Sequence, residues 1–243
     1  MRSNCESADP ALLQTVVLAN RILFNQGVID AFGHVSARVE DREDRFLLAR
    51  SIAPYQVTEA DILTFTLEGE EEAPSGKKLY SERFIHSEIY RRFPGVHAIV
   101  HAHSPAIIPF SVARSTRLRS LSHMAGFIGN GAPIFDLTEL GVEGSDLLIR
   151  NKDHGQALAC CFDESSIVLM RGHGLTIVAP NLKLAVYRAV YANFNAQCQL
   201  DALQLGDVKY LSDAEAVSCA RTTEGDVERP WAMWVAQLDS RPQ

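Results

Sequence analysis

No stretch of this sequence approaches the roughly 20 consecutive apolar residues of a membrane-spanning helix, so no such helix is expected. The opening residues, MRSNCESADPALL, lack the apolar centre of a secretory signal. Cysteine is scarce: Cys5, Cys160, Cys161, Cys198 and Cys219 are odd in number and show no Cys-x-x-Cys spacing. That pattern suits reduced, mostly buried thiols in a cytoplasmic protein rather than a disulfide framework. Positive charge is in deficit, with 23 Lys and Arg against 30 Asp and Glu and a net charge of −7, so a nucleic-acid surface is not expected. Internal repeats, low-complexity segments and linkers are missing as well. A single domain over residues 1–243 is expected, with its core at about 10–210 and a peripheral C-terminal tail.

What is present is a core and an alternation of elements. The chain is 47% hydrophobic and 22% charged, a balance that supports a packed interior. Asp9-Pro10 reads as an N-cap and first helical residue, apolar residues from Leu12 to Phe24 recur at helical spacing, and Gly27 closes the helix. HVSARV and RFLLAR read as strands around a turn-like EDREDR, and EGEEEAPSGK as an exposed loop. A second helix runs from about Ser81 to Phe93, stopped by Pro94-Gly95, and the strand VHAIVHA follows. Two short apolar strands flank Arg171-Gly172-His173-Gly174. Asn181 caps a long helix over 182–205, which Gly206 ends. The last 35 or so residues are polar and weakly periodic, with Trp231 and Trp234 as anchors. Alternating strands and helices indicate an α/β domain.

The chemistry concentrates in histidine. His101 and His103 flank one alanine at the end of an apolar strand. Residues two apart on a strand point the same way, so the two imidazoles can share one ion. Two histidines hydrogen-bonding as ordinary polar groups is the competing reading. His173 sits between two glycines in a turn that can aim it back at the same edge; a solvent-exposed turn histidine is the alternative. Glu82 opens the helix before the His101 strand, where a carboxylate also suits the helix dipole. Helix, turn and strand return the chain near its start, so Glu82, His101, His103 and His173 form a candidate mononuclear metal site. His97 lies deeper and reads as structural, His86 as a supporting or helix-face residue, and His154 as exposed.

SERFIHSEIYRRFPGVHAIVHAHSP followed by MRGHGLTIVA resembles the class II aldolase/adducin family over about residues 10–210. In its enzymes the matching glutamate and three histidines surround a divalent metal, which carries over to Glu82, His101, His103 and His173. The resemblance implies a three-layer α/β/α domain around a mostly antiparallel sheet. It also implies a homotetramer with active sites between neighbouring subunits. The departures are informative. Sugar-phosphate aldolases of the family carry Gly-Asn-x-Ser, a Thr-Pro-Ser-Gly-like turn and Ser-Ser-Glu. Here stand Gly33-His34-Val35-Ser36, ARSIAP with Arg50, and Tyr80-Ser81-Glu82. A cradle for a phosphate has become bulkier and planar. An arginine fork suits a carboxylate, and rings suit a flat ring beside it.

GVIDAFGHVSARV, FLLARSIAP and HMAGFIG are further similar to the family's decarboxylases of 3-hydroxy-2-methylpyridine-4,5-dicarboxylate and 3,4-dihydroxyphthalate. The resemblance implies a metal-dependent decarboxylase with one zinc, manganese or iron ion per subunit and a small aromatic or pyridine dicarboxylate as substrate. Glu82 becomes the proton carrier as well as a ligand, and Arg50 the holder of the second carboxylate. His34 and His123 become contacts to ring substituents or proton shuttles. Tyr191 either reaches a neighbouring subunit's site or packs in the core. Three rivals stay open: an aldolase acting on a non-phosphorylated aldol, a non-heme iron oxygenase of aromatic acids, and a non-catalytic adducin-like scaffold.

Overall fold

The computed structural model describes residues 9–141 and 144–240. Helix α1 (Pro10–Asn25) starts as its sequence implies, with the Asp9 carboxylate accepting from the Ala11 amide and Pro10 in the first turn. Strands β1 (His34–Val39), β2 (Arg42–Ala49) and β3 (Ile62–Thr66) form an antiparallel meander. Then come α2 (Arg83–Arg92), β4 (Ala98–Ala102), α3 (Ile108–Val112), β5 (Ile134–Phe135) and α4 (Lys152–Ala159). Strands β6 (Ile167–Met170) and β7 (Gly174–Ala179) precede α5 (Leu182–Leu205), α6 (Asp213–Glu224) and α7 (Glu228–Asp239). The seven strands form one sheet in the order β3-β2-β1-β4-β7-β6-β5. Every pairing is antiparallel except β5 with β6.

Helices cover both sides, so the fold is the expected α/β/α sandwich. Alternate strand residues divide between two clusters, as the two-residue period of a strand requires. Val35, Ala98, Val100, Leu175 and Ile177 pack toward α1 and α5. Phe46, Leu48, Ile99, Val168 and Val178 pack toward α2 and α4. No helix among the described residues is long and apolar enough to cross a membrane.

Three expectations need correction. EDREDR is mostly strand: only Glu40 and Asp41 lie between β1 and β2, and Arg42 and Arg45 both reach Glu72, which lets a charged run pair as a strand. The C-terminal region, expected as a weakly periodic peripheral tail, forms helices α6 and α7, with Trp231 and Trp234 as its anchors. Helix α6 carries a Ser212–Glu215 capping box, and Trp231 and Trp234 of α7 are buried in the α1/α5 cluster. The thiols are free but not buried: Cys160 is exposed and Cys161, Cys198 and Cys219 are half-buried, while Cys5 lies outside the described residues.

Candidate metal centre

Strand β4 lies in the middle of the sheet, and His101 sits next to its last residue, fully buried. His103 follows just past the strand end. The β6–β7 turn delivers His173 to the same edge. This approach needs a glycine: a Cβ on Gly174 would stand 2.1 Å from the Ala102 carbonyl oxygen and 3.2 Å from the His103 Cα. Glu82 occupies the N-cap position of α2, yet its side chain makes no capping hydrogen bond. The carboxylate turns inward instead and is 6% exposed as a residue. One ligand atom from each of Glu82, His101, His103 and His173 falls within 4.8 Å of the others.

The donor set fits a divalent cation. His173 Nδ1 lies 3.0 Å from the Leu147 carbonyl, which can only accept, so Nδ1 carries the proton and Nε2 of the neutral ring is bare. His101 Nδ1 lies 3.2 Å from the Thr176 hydroxyl, whose own proton is directed at the Met170 sulfur. His101 Nε2 is therefore bare as well. Both lone pairs converge on His103 Nε2, each at 3.0 Å. Glu82 Oε2 faces the same point, 3.7 Å from His101 Nε2 and 3.6 Å from His173 Nε2. A cation reconciles these facing lone pairs, and the Nδ1 partners orient the rings toward it. Burial keeps the imidazoles neutral, as ligands must be: it holds His101 well below its usual value and His173 down to about 4, with His103 adding to the latter. Burial also pushes the Glu82 carboxyl up to about 7.

A single short segment steadies two of these candidate ligands through its backbone. The Leu147 carbonyl accepts from His173, and the Ile149 amide donates to Glu82 Oε1 at 3.1 Å. Leu147 takes a φ of 64°, the one positive φ at a non-glycine among the described residues. Such a conformation is uncommon for a branched side chain and is associated with functional sites.

The other expected residues divide into two groups. His34 pairs with His101 across β1 and β4, and their rings lie 4.9 Å apart. The Tyr80 ring packs 4.7 Å from His34, and its hydroxyl donates to the Ile52 carbonyl. Arg50 is one-third exposed and bonds Asp61 through Nε at 2.6 Å. His123 and Tyr191 do not join this group. They line a separate, largely apolar cavity of about 370 Å³ with Tyr187, Thr223 and Met233, between α5, α6 and α7.

Sequence reasoning missed a buried file of polar groups behind His34. His34 Nδ1 meets His86 Nε2 at 2.6 Å, His86 Nδ1 meets Ser36 Oγ at 2.6 Å, and Ser36 Oγ meets the Tyr90 hydroxyl at 2.8 Å. His34, Ser36, His86 and Tyr90 are at most 3% exposed. Burial lowers His86 to about 3 and raises Tyr90. Arg38 closes the far end, its guanidinium 4.7 Å from the Tyr90 ring centre and bonded to the Tyr90 carbonyl. His86 is thus an interior residue rather than a helix-face one. His154, expected to be exposed, is half-buried. His97 is half-buried at the start of β4, its amide bonded to Ala179. No spacing rule links Ser36 to Tyr90, because only strand–helix packing joins them.

Residues 14–200 match the Class II Aldolase and Adducin N-terminal domain. Decarboxylase tropJ of Talaromyces stipitatus is 36% identical over 251 residues, 94% of either chain. The 3,4-dihydroxyphthalate decarboxylase of Arthrobacter keyseri is 28% identical over 218 residues, 83% of either chain. The crystal structure of an aldolase II superfamily protein from Pseudomonas syringae superposes with a TM-score of 0.78 at 18% identity, covering 98% of this chain and 97% of that one. Such relatives make the protein a carbon–carbon lyase of the decarboxylase or aldolase kind. Its fold, its ligand cluster and the span of this match agree: the chain belongs to the class II aldolase and adducin family.

Proposed function

We propose that the protein is a metal-dependent decarboxylase of a hydroxylated aromatic or pyridine dicarboxylate, of the 3,4-dihydroxyphthalate or 3-hydroxy-2-methylpyridine-4,5-dicarboxylate type. The observation that carries this reading is the juxtaposition of the four-ligand cluster with planar groups, the His34 and Tyr80 rings, where a phosphate cradle would need small hydroxyls. The 36% identity to a decarboxylase supports the same choice over an aldolase.

His101, His103, His173 and Glu82 hold one divalent ion, and zinc, manganese and iron all suit such ligands. When bound, the ion supplies Lewis acidity toward a substrate oxygen next to the carbon that takes up negative charge. The protein's own groups do the rest. His34 contacts a ring substituent with its edge, and the Tyr80 ring, tilted against it 4.7 Å away, lines the site beside the substrate ring. Arg50 turns from Asp61 to the carboxylate that stays. The bond between ring carbon and departing carboxylate breaks, carbon dioxide leaves, and the electron pair remains on the ring carbon. One proton must then reach that carbon. Glu82, whose Oε2 lies 3.6 Å from His173 Nε2 and 3.7 Å from His101 Nε2, is placed to deliver it once substrate displaces its carboxylate from the ion. His123 and Tyr191 belong to another surface of the chain, and in this reading they serve a neighbouring subunit's site within a homotetramer.

The test is carbon dioxide release under anaerobic conditions from each of the two dicarboxylates. Release that stops with a chelator and in His103→Ala supports the reading. No release from either, with metal bound, removes the decarboxylase reading and leaves aldol cleavage of a non-phosphorylated substrate to be assayed.

A further inference from the structure

The buried file from Tyr90 to His34 has a direction, and the direction follows from counting protons. Its links are Tyr90 Oη to Ser36 Oγ at 2.8 Å, Ser36 Oγ to His86 Nδ1 at 2.6 Å, and His86 Nε2 to His34 Nδ1 at 2.6 Å. Each hydroxyl has one proton to give. The Tyr90 hydroxyl has a single acceptor among the described residues, Ser36 Oγ. If Ser36 gave its proton back to Tyr90, the Tyr90 proton would be buried without a partner. If His86 Nδ1 gave a proton to Ser36, one of the two hydroxyl protons would again be stranded. Buried hydroxyl protons without acceptors are strongly disfavoured, by about tenfold or more in population. One arrangement satisfies every group: Tyr90 donates to Ser36, Ser36 to His86 Nδ1, and His86 Nε2–H to His34 Nδ1.

We infer that Ser36 and His86 act as positioning residues that fix His34 as its Nε2–H tautomer, so that His34 presents a hydrogen-bond donor to an anionic substrate oxygen at the metal centre. The role toward substrate rests on the reading given under Proposed function; the tautomer does not. His34 Nε2 takes no partner among the described residues, and the ring stands 4.9 Å from that of His101. The proton on Nε2 makes His34 a donor beside the His101 ring rather than a second lone pair there. Ser36 is the deciding member. Tyr90 only denies the Ser36 proton its alternative acceptor, so it is dispensable for direction once removed.

Neutron diffraction from the deuterated, zinc-loaded protein without substrate locates these protons directly. Deuterium on His34 Nε2 and none on Nδ1 is expected; deuterium on His34 Nδ1 overturns the inference. In Ser36→Ala the His86 ring loses its only hydroxyl donor, and mixed occupancy at His34 is expected. In Tyr90→Phe the Ser36 proton still has His86 as its acceptor, so the wild-type tautomer is expected to persist. An unchanged, single tautomer in Ser36→Ala, or a reversed one in Tyr90→Phe, overturns the assignment of Ser36. If Ser36→Ala does not fold, Ser36→Thr, which keeps the hydroxyl, and the wild-type protein still decide it. For the holoenzyme, Ser36→Ala is expected to lower kcat/KM about tenfold with bound zinc unchanged, and Ser36→Thr to restore it. Because the tautomer is read without substrate, failure of the carbon dioxide assay and failure of the relay are separate results.

Discussion

The two faces of the central sheet are built from the same strands and differ in almost every other respect. Toward α1 and α5 the strands present Val35, Ala98, Val100, Leu175 and Ile177, all apolar. Toward α2 and α4 the alternate residues include His34, Ser36, His101 and Thr176, each buried and each hydrogen-bonded. Neighbouring residues on β7 show the contrast best: Thr176 supports a ligand, while Ile177 fills the core. Pleating lets one strand serve both purposes, since successive side chains never compete for the same space. Both sides carry an apolar cluster, but the buried polar groups of these strands gather on the α2/α4 side alone. Substitutions of adjacent residues therefore ought to separate stability from chemistry.

The largest effect is expected at the ligands. His103→Ala or exhaustive chelation should reduce turnover about a thousandfold or more, measured as carbon dioxide release, while far-ultraviolet circular dichroism stays native. Gly174→Ala should come next, because the new Cβ meets the Ala102 carbonyl at 2.1 Å and backbone must move. A loss of about 4 kcal/mol or an insoluble product is expected from urea unfolding, the scale of the most severe single substitutions. On the apolar face, Ile177→Ala should cost about 3 kcal/mol and leave kcat/KM of the folded fraction unchanged. Its neighbour should behave in the opposite way. Thr176→Val removes the acceptor for His101 Nδ1 and should weaken metal affinity about 10- to 100-fold with a much smaller change in unfolding midpoint. Equal losses of stability and affinity in both variants would erase the distinction between the faces.

The gentlest effect is on pH dependence of the metal-free protein. His86 and His173 are lowered from 6.5 to about 3 and about 4. Between those values and 6.5 the unfolded chain binds more protons than the folded one, so stability rises with pH across that window. Glu82 opposes this: raised from 4.5 to about 7, it holds a proton in the folded state that the unfolded state has lost, so its share falls as pH rises. With His34 and His101 lowered as well, the histidines prevail. The thermal midpoint of metal-free protein should climb by a few degrees from pH 4.5 to 6.5, and a flat or falling profile would contradict the burial of these rings.

The legible parts of the molecule were those whose signals are local. Helix α5 begins after Asn181 and ends before Gly206, as its caps indicate, because a cap is written within a few residues of the boundary it sets. His101 and His103 were legible from strand spacing, and His173 from its glycines. The α6–α7 region was not, since Ala216 alone is fully buried on α6 and only Trp231 and Trp234 on α7, too few to imprint a helical period. The polar relay was illegible for a different reason: Ser36 and Tyr90 are 54 residues apart and meet only when β1 and α2 pack. Leu147 and Ile149 contribute a carbonyl and an amide, groups that every residue but proline carries.

That last contact has a consequence for how the ligands behave together. Leu147 and Ile149 sit two positions apart, and one holds His173 while the other holds Glu82. The positions of two ligands are thus statistically dependent: whatever slackens the segment slackens both. Losses caused by substituting His173 and Glu82 are therefore expected not to add in a double-mutant cycle. A substitution in residues 146–149 that touches no metal can therefore cost as much as deleting a ligand.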